Sequence, residues 1–232
     1  IEAIVENLEI KRGLFEKIDA IRPEKTIVST NTSGIPIASI AEGMSEGFRQ
    51  HFLGTHFFNP PRYLKLLELI PGPDTLPEVI EFISGFCESR LGKGIVMCKD
   101  TPNFIGNRVF SVAGAFAMKY ILENGYTVEE ADAITGPPLG RPKTATFRLL
   151  DLVGLDVVGH VGGNLAELIP HDTLAQEVLT AEKPAEISRA LIERGWLGNK
   201  TKVGYYKQVM VDGQREFWTL NLETLEHEAP EK

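Results

Sequence analysis

Between residues 26 and 98 the chain alternates short apolar, partly β-branched runs with helical ones, and after Asp100 it stops doing so. That switch constrains the fold more than any other feature. Residues 26–30, 53–58, 64–70 and 94–98 read as strands, the third of them ended by Pro71-Gly72-Pro73. Residues 35–41 read as a short helix with Pro36 in its first turn. Residues 77–90 read as a longer helix, with Val79, Ile80, Ile83, Phe86 and Cys87 on one face. An amphipathic helix over 1–21 precedes them, carried by Ile4, Val5, Leu8, Leu14, Phe15 and Ile18 and stopped by Pro23. Such alternation is the signature of an open α/β sheet with helices packed on it.

Beyond Asp100 the period is helical. Thr101 can cap a helix with Pro102 at its first position, and Ile105, Val109, Val112, Phe116 and Tyr120 then form one long apolar face. Thr127 and Glu130 have capping-box spacing. Pro137-Pro138-Leu139-Gly140-Arg141-Pro142 reads as a rigid loop, 147–168 as a helix that its glycines can break, and 184–194 as a helix ended by Gly195. Asp212-Gly213, flanked by Tyr205-Tyr206, Met210-Val211 and Phe217-Trp218, is a hairpin signal, and the sequence past Leu225 is polar and acidic, as in a linker. The expected organisation is an α/β domain over 1–99, a helical domain over 100–206, and a hairpin with a linker tail over 207–232.

Composition excludes some classes of function. A net charge of −8 without a basic stripe argues against nucleic acid, though a few lysines and a helix terminus can still hold an anionic substrate. No apolar run approaches the ~20 residues a membrane helix needs. Cys87 and Cys98 fit neither a redox pair nor a metal set, so reduced thiols in a cytoplasmic setting are expected. The chain opens without Met, in what reads as a helix already under way, and is expected to be part of a longer protein.

Two titratable groups stand in costly places. His56 ends an apolar run, and Glu68 shares a strand face with Leu64, Leu66 and Ile70. A carboxylate there can fix one imidazole tautomer and stabilise the ring when protonated, making the pair a base and its orienter; a structural ion pair or an exposed glutamate would fit the same residues. Asn107, five residues into the expected helix, is either a donor to a substrate oxygen or a surface amide. Ser33, in the Asn31-Thr32-Ser33-Gly34 turn, sits where open α/β sheets bind ligands, or else stabilises the turn. His51 and His56 lack a third zinc ligand, and His160 and His171 read as structural or exposed. Gly92-Lys93-Gly94 lacks the third glycine of a dinucleotide fingerprint, 136–144 lacks the order of a phosphate loop, and there is no Gly-x-Ser-x-Gly elbow.

Together these stretches resemble the 3-hydroxyacyl-CoA dehydrogenase family. The resemblance rests on Val5-Glu6-Asn7-Leu8, Ser29-Thr30-Asn31-Thr32-Ser33, His56-Phe57-Phe58-Asn59-Pro60, Lys65 to Glu68, the run from Lys99 to Arg108, Leu150 to Asp156, and Lys200 to Tyr206. It implies the C-terminal half of a Rossmann domain followed by an all-α domain of the 6-phosphogluconate-dehydrogenase type. It implies NAD as cofactor, a (3S)-3-hydroxyacyl-CoA oxidised to the 3-ketoacyl-CoA, and a place in fatty-acid β-oxidation. His56 would be the base, Glu68 its partner, and Ser33 and Asn107 the polar positioning groups. Glu6, Lys11, Asn31 and Ser33 would lie on the cofactor side. The expected partners are the acyl-CoA substrate and either a second copy, a second helical repeat or an enoyl-CoA hydratase module. The Gly-rich turn with which the family begins is not in this sequence, so an incomplete cofactor site is expected, and a non-catalytic acyl-CoA-binding or dimerisation remnant is the alternative.

Overall fold

The computed structural model describes residues 1–230, with 160–164 described by their backbone alone. The chain divides into two compact units, the first ending at Arg108 and the second beginning at Val109.

The first unit opens extended, not helical. Glu2 donates its N–H to the Ser29 carbonyl at 2.8 Å and accepts from the Asn31 N–H at 2.7 Å, a parallel bridge beside Thr30. The apolar spacing of Ile1, Ile4 and Val5 fits a helix, but sheet pairing satisfies the backbone here and overrides it. Helix α1 (Leu8–Ile21) starts after Asn7, whose side chain accepts the Ile10 N–H at 3.1 Å. There follow β1 (Val28–Thr30), α2 (Ile37–Ala41), α3 (Glu46–Gln50), β2 (Phe52–Phe57), β3 (Leu66–Pro71), α4 (Pro77–Leu91) and β4 (Gly94–Met97). The strands lie in chain order; β1 and β2 are parallel, as are β3 and β4, while β2 and β3 are antiparallel.

The core of this unit is a trio of rings, Phe15, Phe48 and Phe52, with centroids 5.0 to 5.7 Å apart, packed against Ile37, Ile40 and Ile70. A smaller cluster joins Leu67 and Leu69 to Cys87 of α4. From Leu67 to Ile70, β3 is buried on both faces, so it shows no alternation. The apolar stripe of α4 is narrower than its sequence suggests: Val79 and Cys87 are buried, whereas Phe86 is exposed and stacks on the exposed Phe82.

Helix α5 (Gly106–Glu123) has its first three residues in the first unit and the rest in the second, which continues with α6 (Val128–Thr135), α7 (Phe147–Val153), α8 (Leu155–Leu168), α9 (Thr173–Leu179) and α10 (Glu182–Glu193). Both halves of the capping box form at Thr127 and Glu130. The helix expected over 147–168 breaks at Gly154, where φ is +102°. An antiparallel sheet of β5 (Tyr206–Val211), β6 (Gln214–Leu220) and β7 (His227–Glu228) closes the unit. Asp212 and Gly213 both take positive φ, as the tight hairpin turn requires. Strand β7 corrects the reading of this region as a linker: His227 pairs with Leu220, and Leu220 and Leu222 are buried in one cluster with Phe147 and Tyr205.

Candidate active site

Antiparallel pairing of β2 and β3 sets His56 directly opposite Glu68. Their side chains meet, with His56 Nδ1 2.7 Å from Glu68 Oε2, and both residues are buried. The rings of Phe58 and Phe104 lie 4.6 and 5.6 Å from the imidazole. Burial pushes the Glu68 carboxyl up, but the His56 hydrogen bond, the Gly106 N–H, the imidazole charge and the Ile105 N–H outweigh it and hold the group below its ordinary range. An ionised Glu68 accepts, so in the neutral ring His56 Nδ1 carries the proton and donates, and Nε2 keeps its lone pair. Nε2 has no hydrogen-bond partner among the described residues.

Glu68 does a second thing. Its Oε1 accepts the N–H groups of Ile105 at 3.0 Å and Gly106 at 2.7 Å, so the carboxylate caps α5 from another element. This corrects the reading of Thr101 and Pro102 as the helix start. The chain instead turns through Asn103 and Phe104, both at positive φ, and the helix begins at Gly106. Asn107 is therefore the second residue of α5 rather than a residue one turn further along, and it follows directly on the amide that Glu68 holds. Its side-chain amide has no partner among the described residues.

The Asn31-Thr32-Ser33-Gly34 turn is tied to this region from two sides. Asn31 Oδ1 accepts the Phe57 N–H at 2.8 Å, fixing the turn to the strand end that carries His56. Asn103 Oδ1 lies so close to Gly34 that a Cβ there would sit 3.0 Å from it. Glu6 Oε1 gathers the turn, accepting from the Thr32 hydroxyl at 2.6 Å, the Ser33 N–H at 2.9 Å and the Gly34 N–H at 3.2 Å. Burial raises the Glu6 carboxyl, but these three donors and the Lys11 charge together hold it below its ordinary value. The Ser33 hydroxyl is exposed and has no partner among the described residues. Lys11 is buried, with its ammonium 2.8 Å from Glu2 Oε1 and 3.4 Å from Glu6 Oε2. It thus supports Glu6 from behind the turn.

Several residues that shape the site carry no local signal. Glu2 also accepts the Thr30 hydroxyl at 2.6 Å, a contact that the helical reading of residues 1–5 hid. Asp100 accepts the N–H groups of Ile37 and Ala38 at 2.8 and 2.9 Å and so caps α2. Lys93 is no part of a fingerprint; its ammonium binds the carbonyls of Pro61 and Leu64 and braces the loop after His56. Cys98 is buried, and burial together with the Glu68 charge pushes its thiol up to about 12, so it stays protonated. His51 Nδ1 meets the Gly47 carbonyl, His171 is exposed, and the His160 side chain lies outside the described residues.

Comparisons with known proteins converge. Residues 1–101 match the model of the 3-hydroxyacyl-CoA dehydrogenase NAD binding domain, and residues 104–208 match that of the same family's C-terminal domain. A probable 3-hydroxyacyl-CoA dehydrogenase of Bacillus subtilis is 48% identical over 208 residues, covering 90% of this chain and 26% of that protein. A putative fatty acid oxidation complex trifunctional enzyme of Rickettsia felis is 35% identical over 236 residues, covering all of this chain and 32% of that protein. The crystal structure of the (S)-3-hydroxybutyryl-CoA dehydrogenase of Ralstonia eutropha superposes with a TM-score of 0.75 at 30% identity, covering 88% of this chain and 68% of that one. The chain spans 26% and 58% of the Bacillus and Deinococcus relatives' lengths.

Proposed function

Since the chain belongs to the 3-hydroxyacyl-CoA dehydrogenase family, we propose that it carries the base and positioning groups of an NAD-dependent enzyme that oxidises (3S)-3-hydroxyacyl-CoA to 3-ketoacyl-CoA in fatty-acid oxidation. The observation that supports this most is the buried His56–Glu68 pair at 2.7 Å, with the free Nε2 that it implies. Nε2 takes the proton of the substrate 3-hydroxyl, and the ionised Glu68 stabilises the imidazolium that forms. Because Oε1 is fastened to the start of α5, the carboxylate cannot turn away from the ring. The Ser33 hydroxyl and the Asn107 amide hold the substrate oxygen and the base in register. NAD, when bound, supplies the acceptor for the hydride leaving C3.

The residues present fit the nicotinamide end of that cofactor better than its pyrophosphate. Glu6 keeps Oε2 toward Lys11 and holds the Ser33 turn, whereas no Gly-x-Gly-x-x-Gly turn occurs in the chain. Lys11 acts through Glu6, and Asn31 acts by fixing the turn. Self-association, or packing on a further helical repeat or an enoyl-CoA hydratase module, is supported by the apolar stripe of α5, where Val109, Phe116 and Tyr120 are more than half exposed. A cytoplasmic setting is supported by two free, buried cysteines.

The test is His56→Gln in a form of the protein that oxidises a 3-hydroxyacyl-CoA with NAD. Turnover is expected to fall by about 10²–10⁴-fold, while acyl-CoA binding stays within a few-fold of wild type. Near-normal turnover would mean that the base lies elsewhere. Loss of acyl-CoA binding as well would make the pair structural.

A further inference from the structure

The second unit contains a cleft of about 360 Å³ lined by none of the residues assigned above. The β5–β6 hairpin forms one wall. Gln208 and Phe217 are cross-strand partners, and Tyr206 lies two residues from Gln208, so the three share a face. Arg148 lies against that wall, its guanidinium carbon 3.9 Å from the centre of the Tyr206 ring and 5.4 Å from that of Phe217. A guanidinium stacked on rings keeps its N–H edge available to an acceptor in its own plane.

The facing side is the loop 198–204, and it is rigid. Gly198 and Gly204 press on Asp151 so closely that a Cβ at either would lie within 2.3 Å of an Asp151 oxygen. Within the loop, the Lys202 N–H donates to the Asn199 carbonyl at 3.2 Å, and the Lys202 carbonyl accepts from the Gln208 N–H at 3.0 Å. These bonds hold Lys202 at φ +62°, a conformation that glycine adopts freely and a lysine adopts only at a cost.

Arg148 and Lys202 make no salt bridge among the described residues, although the chain has 32 acidic side chains against 24 basic ones; the Arg148 charge does act on Asp151 at longer range. The carboxylate at the cleft floor is already committed. Asp151 accepts the N–H groups of Tyr205 at 2.9 Å and Tyr206 at 2.8 Å, while Asp132 nearby takes the Tyr206 hydroxyl at 2.9 Å. A strained lysine and a stacked arginine thus flank a polar cleft whose one acid faces its own backbone.

We propose that this cleft binds an organic phosphate, with Arg148 and Lys202 as paired cations and Asn199 and Gln208 as neutral hydrogen-bonding groups. Two cations suit a dianion with several acceptor oxygens better than a lone carboxylate. The half-exposed Phe217 and Leu152 give an apolar or planar group on the ester somewhere to lie. The phosphate of a coenzyme A nucleotide and that of a free phosphorylated metabolite share this chemistry. The site stands on its own residues and does not depend on the dehydrogenase reading.

Calorimetry on the whole 232-residue chain tests it, with inorganic pyrophosphate and adenosine 3′,5′-bisphosphate as probes. At least one is expected to bind, with Arg148→Gln and Lys202→Gln each weakening affinity by about tenfold or more. Tighter binding of the bisphosphate assigns the site to a coenzyme A type of nucleotide, and tighter binding of pyrophosphate assigns it to a free phosphate. Lys202→Gly is the decisive variant, because it removes the charge and relieves the backbone together: Tm should hold or rise while affinity falls about tenfold. The proposal is overturned if neither probe binds the wild-type chain, or if Lys202→Gly binds the preferred probe as tightly as wild type.

Discussion

Each unit buries a carboxylate that fastens the start of a secondary-structure element, and the two behave in opposite ways. Glu68 holds the Ile105 and Gly106 amides at the head of α5, and Asp151 holds the Tyr205 and Tyr206 amides at the head of β5. Their exposures are 1% and 3%. Yet Glu68 titrates below its ordinary range, whereas burial pushes Asp151 up to about 6 against the pull of the two tyrosine amides, with the neighbouring Asp132 charge adding to the rise. The difference is the imidazole. Glu68 has a partner that can carry a positive charge at hydrogen-bond distance, whereas Asp151 is hydrogen-bonded to amides, with the Asp132 charge opposing its ionisation and the Arg148 charge favouring it without a salt bridge among the described residues. A buried carboxylate bound to amides alone is a fastening; one that also reaches a histidine with a free nitrogen can take part in proton transfer.

The largest expected effect falls on the fastening. At Gly204 a Cβ would lie 2.1 Å from Asp151 Oδ1 and 2.7 Å from the Gly198 Cα, so the carboxylate would have to leave the Tyr205 and Tyr206 amides and the backbone at Gly198 would have to move. Gly204→Ala should destabilise the second unit by more than about 3 kcal/mol. The counterpart beside Glu68 is more forgiving: a Cβ at Gly106 would meet chiefly the edge of the Phe58 ring, a side chain that can swing aside. Amide hydrogen exchange should show Tyr205 and Tyr206 losing protection in Gly204→Ala while β2 and β3 keep theirs. The comparison breaks if Gly106→Ala proves the more damaging change.

A smaller effect distinguishes the two acids by sign. Asp151 has its folded pKa, about 6, above its ordinary 3.8, so the folded state binds the proton more tightly. The stability this contributes is fully present below about pH 4 and is lost as pH rises through about 6, amounting to about 3 kcal/mol. Glu68 is depressed, so its contribution is present above the ordinary carboxylate range and is lost as pH falls through its folded value. Acidification from neutrality should therefore first tighten the second unit and, further down, loosen the first. Exchange protection at Tyr206 and Gly106, followed across pH and corrected for intrinsic rates, reads the two separately. Asp151→Asn should flatten the first trend and leave the second. Parallel trends at both amides would remove the distinction.

The same contrast explains what could be read from the residues alone. Local caps were legible: Thr127 and Glu130 sit three apart and form the box their spacing implies. The strands around His56 and Glu68 were legible too, because apolar runs bounded by prolines carry their own signal. Caps supplied from a distance were not. Glu68 reaches 38 positions to Gly106, Asp100 reaches 63 to Ile37, and Asp132 reaches 15 to Phe147, so none leaves a short-range pattern. This is why the local signal at Thr101 and Pro102 misplaces the start of α5. Glu2 failed for a related reason: its neighbours Ile1, Ile4 and Val5 have helical spacing, and only pairing with Ser29 and Asn31 decides against a helix. The roles of Ser33 and Asn107 rest on family resemblance, because a loop hydroxyl and a helix amide have no periodicity to mark them.

Asp100 offers the finest test of the contrast, being a third distant carboxylate without either distinguishing feature. It accepts the Ile37 and Ala38 amides at 2.8 and 2.9 Å, as Glu68 and Asp151 accept amides at their own elements, but it is only partly buried and bonds no imidazole among the described residues. Water can replace it at the head of α2, so Asp100→Ala should cost about 1 kcal/mol, the ordinary value of a helix cap, measured by urea denaturation. Turnover in an active form of the protein should stay within a few-fold of wild type, because no proton passes through this acid. If Asp100→Ala instead abolished turnover at that small stability cost, then fastening α2 would itself govern the chemistry, and the line drawn between an acid that fastens and one that serves a base would not hold in the first unit.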